Sequence, residues 1–128
     1  MIERLSPPGV AAPRGPYSPA VRAGDFIYIS GQVPVDPVSN QTMLGDIQQE
    51  TRQVLNNINR ILEGCGASRA DVIKCQVYLS DVKDFAAMNE VYTEFFGEAK
   101  PARTTIGVGA LPLPGAKVEI DAIAYKPR

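Results

Sequence analysis

Residues 117–125, KVEIDAIAY, constrain the fold most strongly, because their alternation leaves apolar residues on both sides of a strand. Successive side chains of a strand point to opposite faces of a sheet, so both faces here need cover. The run FIYIS, residues 26–30, has the same property. One side of 117–125 carries Val118, Ile120, Ala122 and Ala124, and the other carries Lys117, Glu119, Asp121, Ile123 and Tyr125.

Outward from these strands, two segments carry apolar residues at helical spacing. The first starts at Asp46, which forms a capping-box pattern with Gln49, and it stops at Gly64. The second runs from about Asp84 to Gly97. The stripes predicted to face the core are Ile47, Val54, Leu55, Ile58, Ile61 and Leu62 in the first helix, and Phe85, Met88, Val91, Tyr92, Phe95 and Phe96 in the second.

The segments before the first helix predict a hairpin and a loop. Residues 20–23 and 26–30 are strand-like and flank the turn dipeptide Gly24-Asp25. A short edge strand is expected at 3–5, and the proline-rich stretch 13–19 is expected to be an extended loop, because proline removes backbone donors.

The remaining strands follow the first helix. Segment 72–79 alternates, and a turn rich in Pro and Gly separates the predicted strand 104–111 from 117–125. The order is β-β-α-β-α-β-β, an α+β fold, in a single domain over residues 1–128. The core face of 72–79 is predicted to hold Ile73, Cys75, Val77 and Leu79.

Two amphipathic helices cover only one face of such a sheet, and the strands 26–30 and 117–125 are apolar on both. The second face therefore needs a partner. We predict an oligomer in which sheets pack together, with clefts between subunits where loops of two chains meet.

The chain contains no histidine, which excludes several chemistries. Imidazole is the usual general base near neutral pH and the commonest transition-metal ligand, so Ser-His-Asp triads, Cys-His pairs and histidine-based zinc sites are ruled out. No metal site is predicted. The two cysteines, Cys65 and Cys75, are too few for a disulfide framework, and we interpret both as small packed hydrophobic residues.

Charge and hydropathy narrow the class of partner. Thirteen Lys and Arg balance fourteen Asp and Glu, and the pI near 5.4 gives no general reason to bind nucleic acid. The apolar runs are far shorter than the roughly 20 residues that span a bilayer, and no apolar signal core follows Met1. A cytoplasmic protein without membrane contact is expected.

Five residues are candidates for chemistry on type and position alone. Arg103 starts a strand and can hold a carboxylate bidentately, and Glu119 can orient or deprotonate a water. Tyr17 can wall a pocket, Asn89 lies on the second helix, and Gly31 allows a ligand to approach the backbone. Ordinary structural roles remain open for all five at this point.

Several stretches together closely resemble the RidA family, also called YjgF or L-PSP proteins. The resemblance runs from the first strands to the C-terminus, with the motifs in order and at the expected spacing. The stretches are GPYSP (15–19), ISGQVP (29–34), the helix 84–96, PART (101–104) and VEIDAIA (118–124).

The resemblance implies a homotrimer with a chorismate-mutase-like fold, in which three sheets form a central β-barrel with helices outside. It also implies hydrolysis of reactive 2-imino acids, here 2-iminopropanoate and 2-iminobutanoate, to 2-keto acids and ammonia at sites between subunits. The imines are released by pyridoxal-phosphate dehydratases, and the reaction itself needs no cofactor.

The resemblance also assigns residues. Arg103 corresponds to the residue that binds the substrate carboxylate, Glu119 to the one that holds water, and Tyr17 to the pocket tyrosine. Gly31 lines the pocket through its backbone and Asn89 supports it. Many bacterial members have Cys two residues after the Arg, whereas this chain has Thr105, which is expected to contact substrate in its place.

Alternative functions stay open at this level. A non-catalytic or regulatory trimer could bind small carboxylates through Arg103. Some family members are described as endoribonucleases acting on single-stranded RNA, and the acidic pI and missing histidine weigh against that activity. The sequence neither supports nor excludes an oxidant-activated chaperone.

Overall fold

One mixed sheet of six strands forms the centre of the computed structural model, which describes residues 1–128. The strands are β1 (Ile2–Leu5), β2 (Ala20–Ala23), β3 (Phe26–Gln32), β4 (Val72–Leu79), β5 (Ala102–Gly107) and β6 (Val118–Tyr125). Their spatial order is β1-β2-β3-β6-β4-β5, and only the β4–β5 pair is parallel. Strand β6, which has apolar residues on both sides, therefore lies inside the sheet.

Two helices cover one face of this sheet. They are α1 (Ile47–Gly64) and α2 (Phe85–Phe96), and a 3-10 turn over Val82–Asp84 leads into α2. The predicted capping box of α1 is confirmed, since Asp46 accepts from the backbone N–H of Gln49 and the Gln49 side chain accepts from that of Asp46. Neither helix is long and apolar enough to cross a membrane. The α+β order is confirmed.

The other face of the sheet, the open face, carries no helix. On β3, Ile27 and Ile29 are buried beneath the helices, whereas Phe26 and Tyr28 point the other way and are 39% and 46% exposed. Tyr125 of β6 joins them, with its ring centroid 5.2 Å from that of Phe26. The open face is thus an exposed aromatic surface, as the two-sided strands predict.

Three details of the prediction are wrong. Ile73 is exposed and Val72 is buried instead, because a bulge at Val72/Lys74 shifts the register of β4 against β6. Strand β5 ends at Gly107 rather than at residue 111, because Gly107 is the last residue that pairs with β4 before the chain leaves the sheet. Phe85 lies outside the core at the start of α2 and is exposed.

Candidate active site

An irregularity in β3 creates the first half of the site. The β3–β6 register shifts between Ile29 and Gln32, so the chain at Ser30 and Gly31 departs from regular pairing. A Cβ atom at Gly31 would overlap the carboxylate of Glu119. Glycine is therefore required there for this carboxylate to lie against the backbone of β3.

The proline-rich loop forms one wall of the cavity beside Glu119. Ser30 fixes this loop, since the Ser30 hydroxyl donates to the Ser18 carbonyl at 2.7 Å and the Ser30 N–H donates to the Pro19 carbonyl at 3.0 Å. The Tyr17 hydroxyl accepts from the Arg14 N–H at 3.2 Å. The cavity measures about 510 Å³ and is lined by Arg14, Tyr17, Ser30, Gly31, Val33, Pro112, Leu113, Pro114 and Glu119.

The opposite wall, residues 112–114, is held in place by a buried acid on α1. The Glu50 carboxylate is inaccessible to solvent and accepts from the N–H of Lys117 at 2.7 Å and from that of Gly45 at 3.1 Å. The Lys117 ammonium lies 3.3 Å from the same carboxylate. This network anchors the end of the loop where β6 begins.

The electrostatic surroundings of Glu119 favour its protonated form. Burial raises the pKa of the Glu119 carboxyl above its ordinary value, and the nearby negative charge of Asp121 raises it further. Tyr78 donates a hydrogen bond to Asp121 over 3.0 Å. No Lys or Arg forms an ion pair with Glu119. A carboxylate of this kind is a better proton acceptor than one in water.

The second half of the site surrounds Arg103. This residue pairs with Cys75 of β4, whose side chain points into the core, so Arg103 points to the helix-covered face at the edge of the sheet. Its guanidinium lies over the Tyr92 ring of α2, 4.7 Å from the centroid. The cavity beside it measures about 500 Å³ and is lined by Asn89, Tyr92, Thr93, Phe96, Gly97, Lys100, Pro101 and Arg103.

Three buried polar atoms in this region lack hydrogen-bond partners. They are the Asn89 Oδ1, the Tyr92 hydroxyl and the Thr105 Oγ1, and no other buried side-chain N or O atom is unpaired. Asn89 and Tyr92 line the cavity with Arg103, and Thr105 follows two residues along the same strand. Unpaired buried polar atoms are rare, and their grouping around one guanidinium is typical of a site for a polar ligand.

The structure thus brings the predicted residues together in two groups. Tyr17, Gly31 and Glu119 share one cavity, and Arg103 shares the other with Asn89. Thr105 points to the face of Arg103 but does not line that cavity. The two groups do not meet within one chain.

Other residues of the site were missed by the sequence analysis. Arg14 and Pro112–Pro114 line the first cavity, and Lys100 lines the second. Tyr92 and Phe85 were assigned to the core. Their spacing with Asn89, at i, i+4 and i+7 on α2, could have placed them on the helix face towards the strand of Arg103.

Comparison with known proteins places the chain among its relatives. A family model described as Endoribonuclease L-PSP matches residues 9–126. A RutC family protein of Pyrococcus horikoshii is 56% identical over 114 residues, which cover 89% of this chain and 90% of the relative. The chain belongs to the RidA (YjgF/L-PSP) family.

Two further members of the RidA family bear on chemistry. A goat protein (Capra hircus), 46% identical over 88% of this chain and 81% of its own length, is named 2-iminobutanoate/2-iminopropanoate deaminase. The structure of E. coli TdcF with bound serine is similar with a TM-score of 0.89 at 35% identity, and the match covers 97% of this chain and 98% of that one. The RidA family thus includes a protein named as an imine deaminase and one that binds a small amino acid.

Proposed function

We propose that this protein hydrolyses reactive 2-imino acids, specifically 2-iminopropanoate and 2-iminobutanoate, to 2-keto acids and ammonia. The observation that carries the proposal is the pair of complementary half-sites, one with an unpaired guanidinium and one with a carboxylate of raised pKa. The name of the goat relative supports the same reaction. The substrates would come from pyridoxal-phosphate dehydratases in the cytoplasm, and no cofactor takes part.

The complete site, in this proposal, lies between two copies of the chain in a homotrimer. Glu119 lies on the open face, which is the surface that a second copy has to cover. A copy that covers this face also reaches the cavity of Glu119, and it can bring its own Arg103 there. Packing three open faces together would bury the aromatic surface of Phe26, Tyr28 and Tyr125 in a central β-barrel.

Each half-site has a defined task. The Arg103 guanidinium binds the planar carboxylate of the substrate with two parallel hydrogen bonds, and Asn89 and Thr105 offer oxygens that lack partners. Tyr17 and the backbone at Gly31 confine the substrate beside Glu119. Binding through the carboxylate places the neighbouring C=N carbon against a water held by Glu119.

The reaction begins from a protonated imine, which is already a strong electrophile. The water oxygen forms a bond to the C=N carbon, the π electrons move to nitrogen, and the Glu119 carboxylate takes the proton from the water. Glu119 then returns this proton to the amine of the tetrahedral intermediate. The C–N bond breaks, the hydroxyl proton leaves with nitrogen, and the products are a 2-keto acid and ammonium.

The test is a coupled assay in which a threonine or serine dehydratase generates the imine. We expect this protein to accelerate release of the keto acid above the spontaneous rate, and Arg103→Ala to abolish the acceleration. Arg52→Ala, which removes an exposed arginine on α1, serves as the matched control and is expected to retain activity. No acceleration, or equal acceleration by Arg103→Ala, refutes the proposal.

A non-catalytic carboxylate-binding trimer is the second candidate, and serine bound to E. coli TdcF favours it. It predicts that a keto acid binds through Arg103 while imine turnover stays at the spontaneous rate. An endoribonuclease is suggested by the family description and by the names of similar solved structures from Thermotoga maritima and Entamoeba histolytica. The protein lacks histidine and has an acidic pI, so we expect it to leave labelled single-stranded RNA intact.

A further inference from the structure

We propose that Phe85 and Tyr92 are positioning residues, which hold the Arg103 guanidinium between two aromatic rings so that its N–H donors stay available for a carboxylate. The inference rests on the proposed function, because it concerns the same Arg103. It assigns a role to two side chains that the reaction itself does not touch.

The geometry of the two rings carries the inference. The Arg103 guanidinium carbon lies 4.7 Å from the Tyr92 ring centroid and 5.5 Å from that of Phe85. Both distances fall within the range of cation–π attraction. The two rings are separated by about two turns of α2, so they occupy the same side of the helix. A cation held on two ring faces keeps its position without using a hydrogen bond.

A second stacked arginine in the chain shows the contrast. Arg69 lies 4.1 Å from the Phe95 ring centroid, and it also donates to the Phe95 carbonyl at 3.0 Å. Its stacking therefore accompanies a structural hydrogen bond. The Arg103 side chain donates no hydrogen bond and forms no ion pair within the chain, although its surroundings are partly buried. The two rings hold the Arg103 guanidinium while its N–H donors remain unused.

The Tyr92 and Phe85 rings differ in burial, and this difference determines which ring can be replaced without disturbing the core. Tyr92 is buried and packs on Phe96, with ring centroids 4.7 Å apart, so removing its ring would disturb the core. Phe85 is exposed, and it can be replaced with little effect on packing. Phe85→Leu removes the aromatic face and keeps an apolar side chain, whereas Phe85→Tyr keeps the face.

The experiment compares these variants in the full-length protein. Affinity for 2-oxobutanoate is measured by calorimetry, KM and kcat by the coupled imine assay, and mobility of the Arg103 side chain by NMR relaxation of its Nε–Hε group. For Phe85→Leu we expect Kd and KM to rise about twofold to fivefold with kcat unchanged. The order parameter of Arg103 Nε–Hε should fall. Phe85→Tyr should match the unaltered protein in all four measurements.

Controls separate this inference from the proposed function. Arg69→Ala removes the other stacked arginine and should leave Kd and KM unchanged. Thermal melting checks that Phe85→Leu is folded. If Arg103→Ala abolishes turnover but Phe85→Leu changes neither KM nor the order parameter, the positioning role of the two rings is refuted while the deaminase proposal stands. If Arg103→Ala leaves turnover unchanged, the proposed function itself fails.

Discussion

Arg103 and Glu119 lie on opposite faces of the same sheet. Arg103 pairs with Cys75 and Glu119 pairs with Tyr78, and these two residues of β4 point to opposite sides because three positions separate them. The guanidinium contacts α2 on the covered face, whereas the carboxylate lies on the open face. One chain therefore cannot present both groups to a single small substrate, and the proposed reaction requires a second copy.

The first prediction concerns the open face. Tyr28→Asp places a charge in the middle of the aromatic surface that the proposed trimer buries, so we expect dissociation to monomers and loss of imine turnover together. Size-exclusion chromatography with light scattering measures the mass. Val38→Asp, at a loop position that is more exposed, is the matched control and should leave assembly intact. A Tyr28→Asp protein that stays trimeric would contradict this role of the open face.

The second prediction follows from a site divided between chains. Arg103→Ala and Glu119→Gln should each be inactive, yet co-expressed subunits that mix at random should regain about a quarter of the sites, because each site takes one residue from each neighbour. The turnover of mixed trimers is compared with that of the two pure variants. If mixing restores no activity although mixed trimers form, the two residues do not act across an interface.

The fold was predictable from the sequence because burial follows alternation and helical spacing. The strand 117–125 and the run 26–30 have apolar residues on both sides, which predicts a sheet face that the two helices of the chain do not cover. The structure has such a face. The misplacement of Ile73 has a local cause, since a bulge changes which residues face the core and leaves no mark in an alternating pattern.

The candidate site was predictable only in part. Arg103 and Glu119 were candidates from residue type and position, and the resemblance to a family assigned their roles. Their positions on opposite faces depend on the pairing of β4 with both β5 and β6. That pairing joins strands distant in sequence, so the local pattern does not contain it. The wall formed by residues 112–114 likewise depends on Glu50, which lies on another element.

The third prediction concerns the pH dependence of turnover. Glu119 accepts a proton only when ionised, and both burial and the charge of Asp121 raise its pKa above the ordinary 4.5. Activity should therefore fall on the acid side with an apparent pKa above 4.5. Asp121→Asn removes the negative charge and keeps an acceptor for Tyr78, so the fall in activity on the acid side should move to lower pH. Profiles of kcat/KM against pH measure the shift. An apparent pKa that stays the same or rises in Asp121→Asn would argue against Glu119 as the titrating group.

The last prediction concerns the buried acid on α1. Glu50→Ala leaves the N–H groups of Gly45 and Lys117 without their acceptor, so we expect a loss of about 2–4 kcal/mol in the free energy of unfolding by urea. Glu63→Ala, on the exposed side of the same helix, should change it by less than about 0.5 kcal/mol. Because the Lys117 N–H ties down the loop that lines the Glu119 cavity, Glu50→Ala should also lower kcat under conditions where the protein remains folded. Equal stability of the two variants would show that the network does not hold this wall.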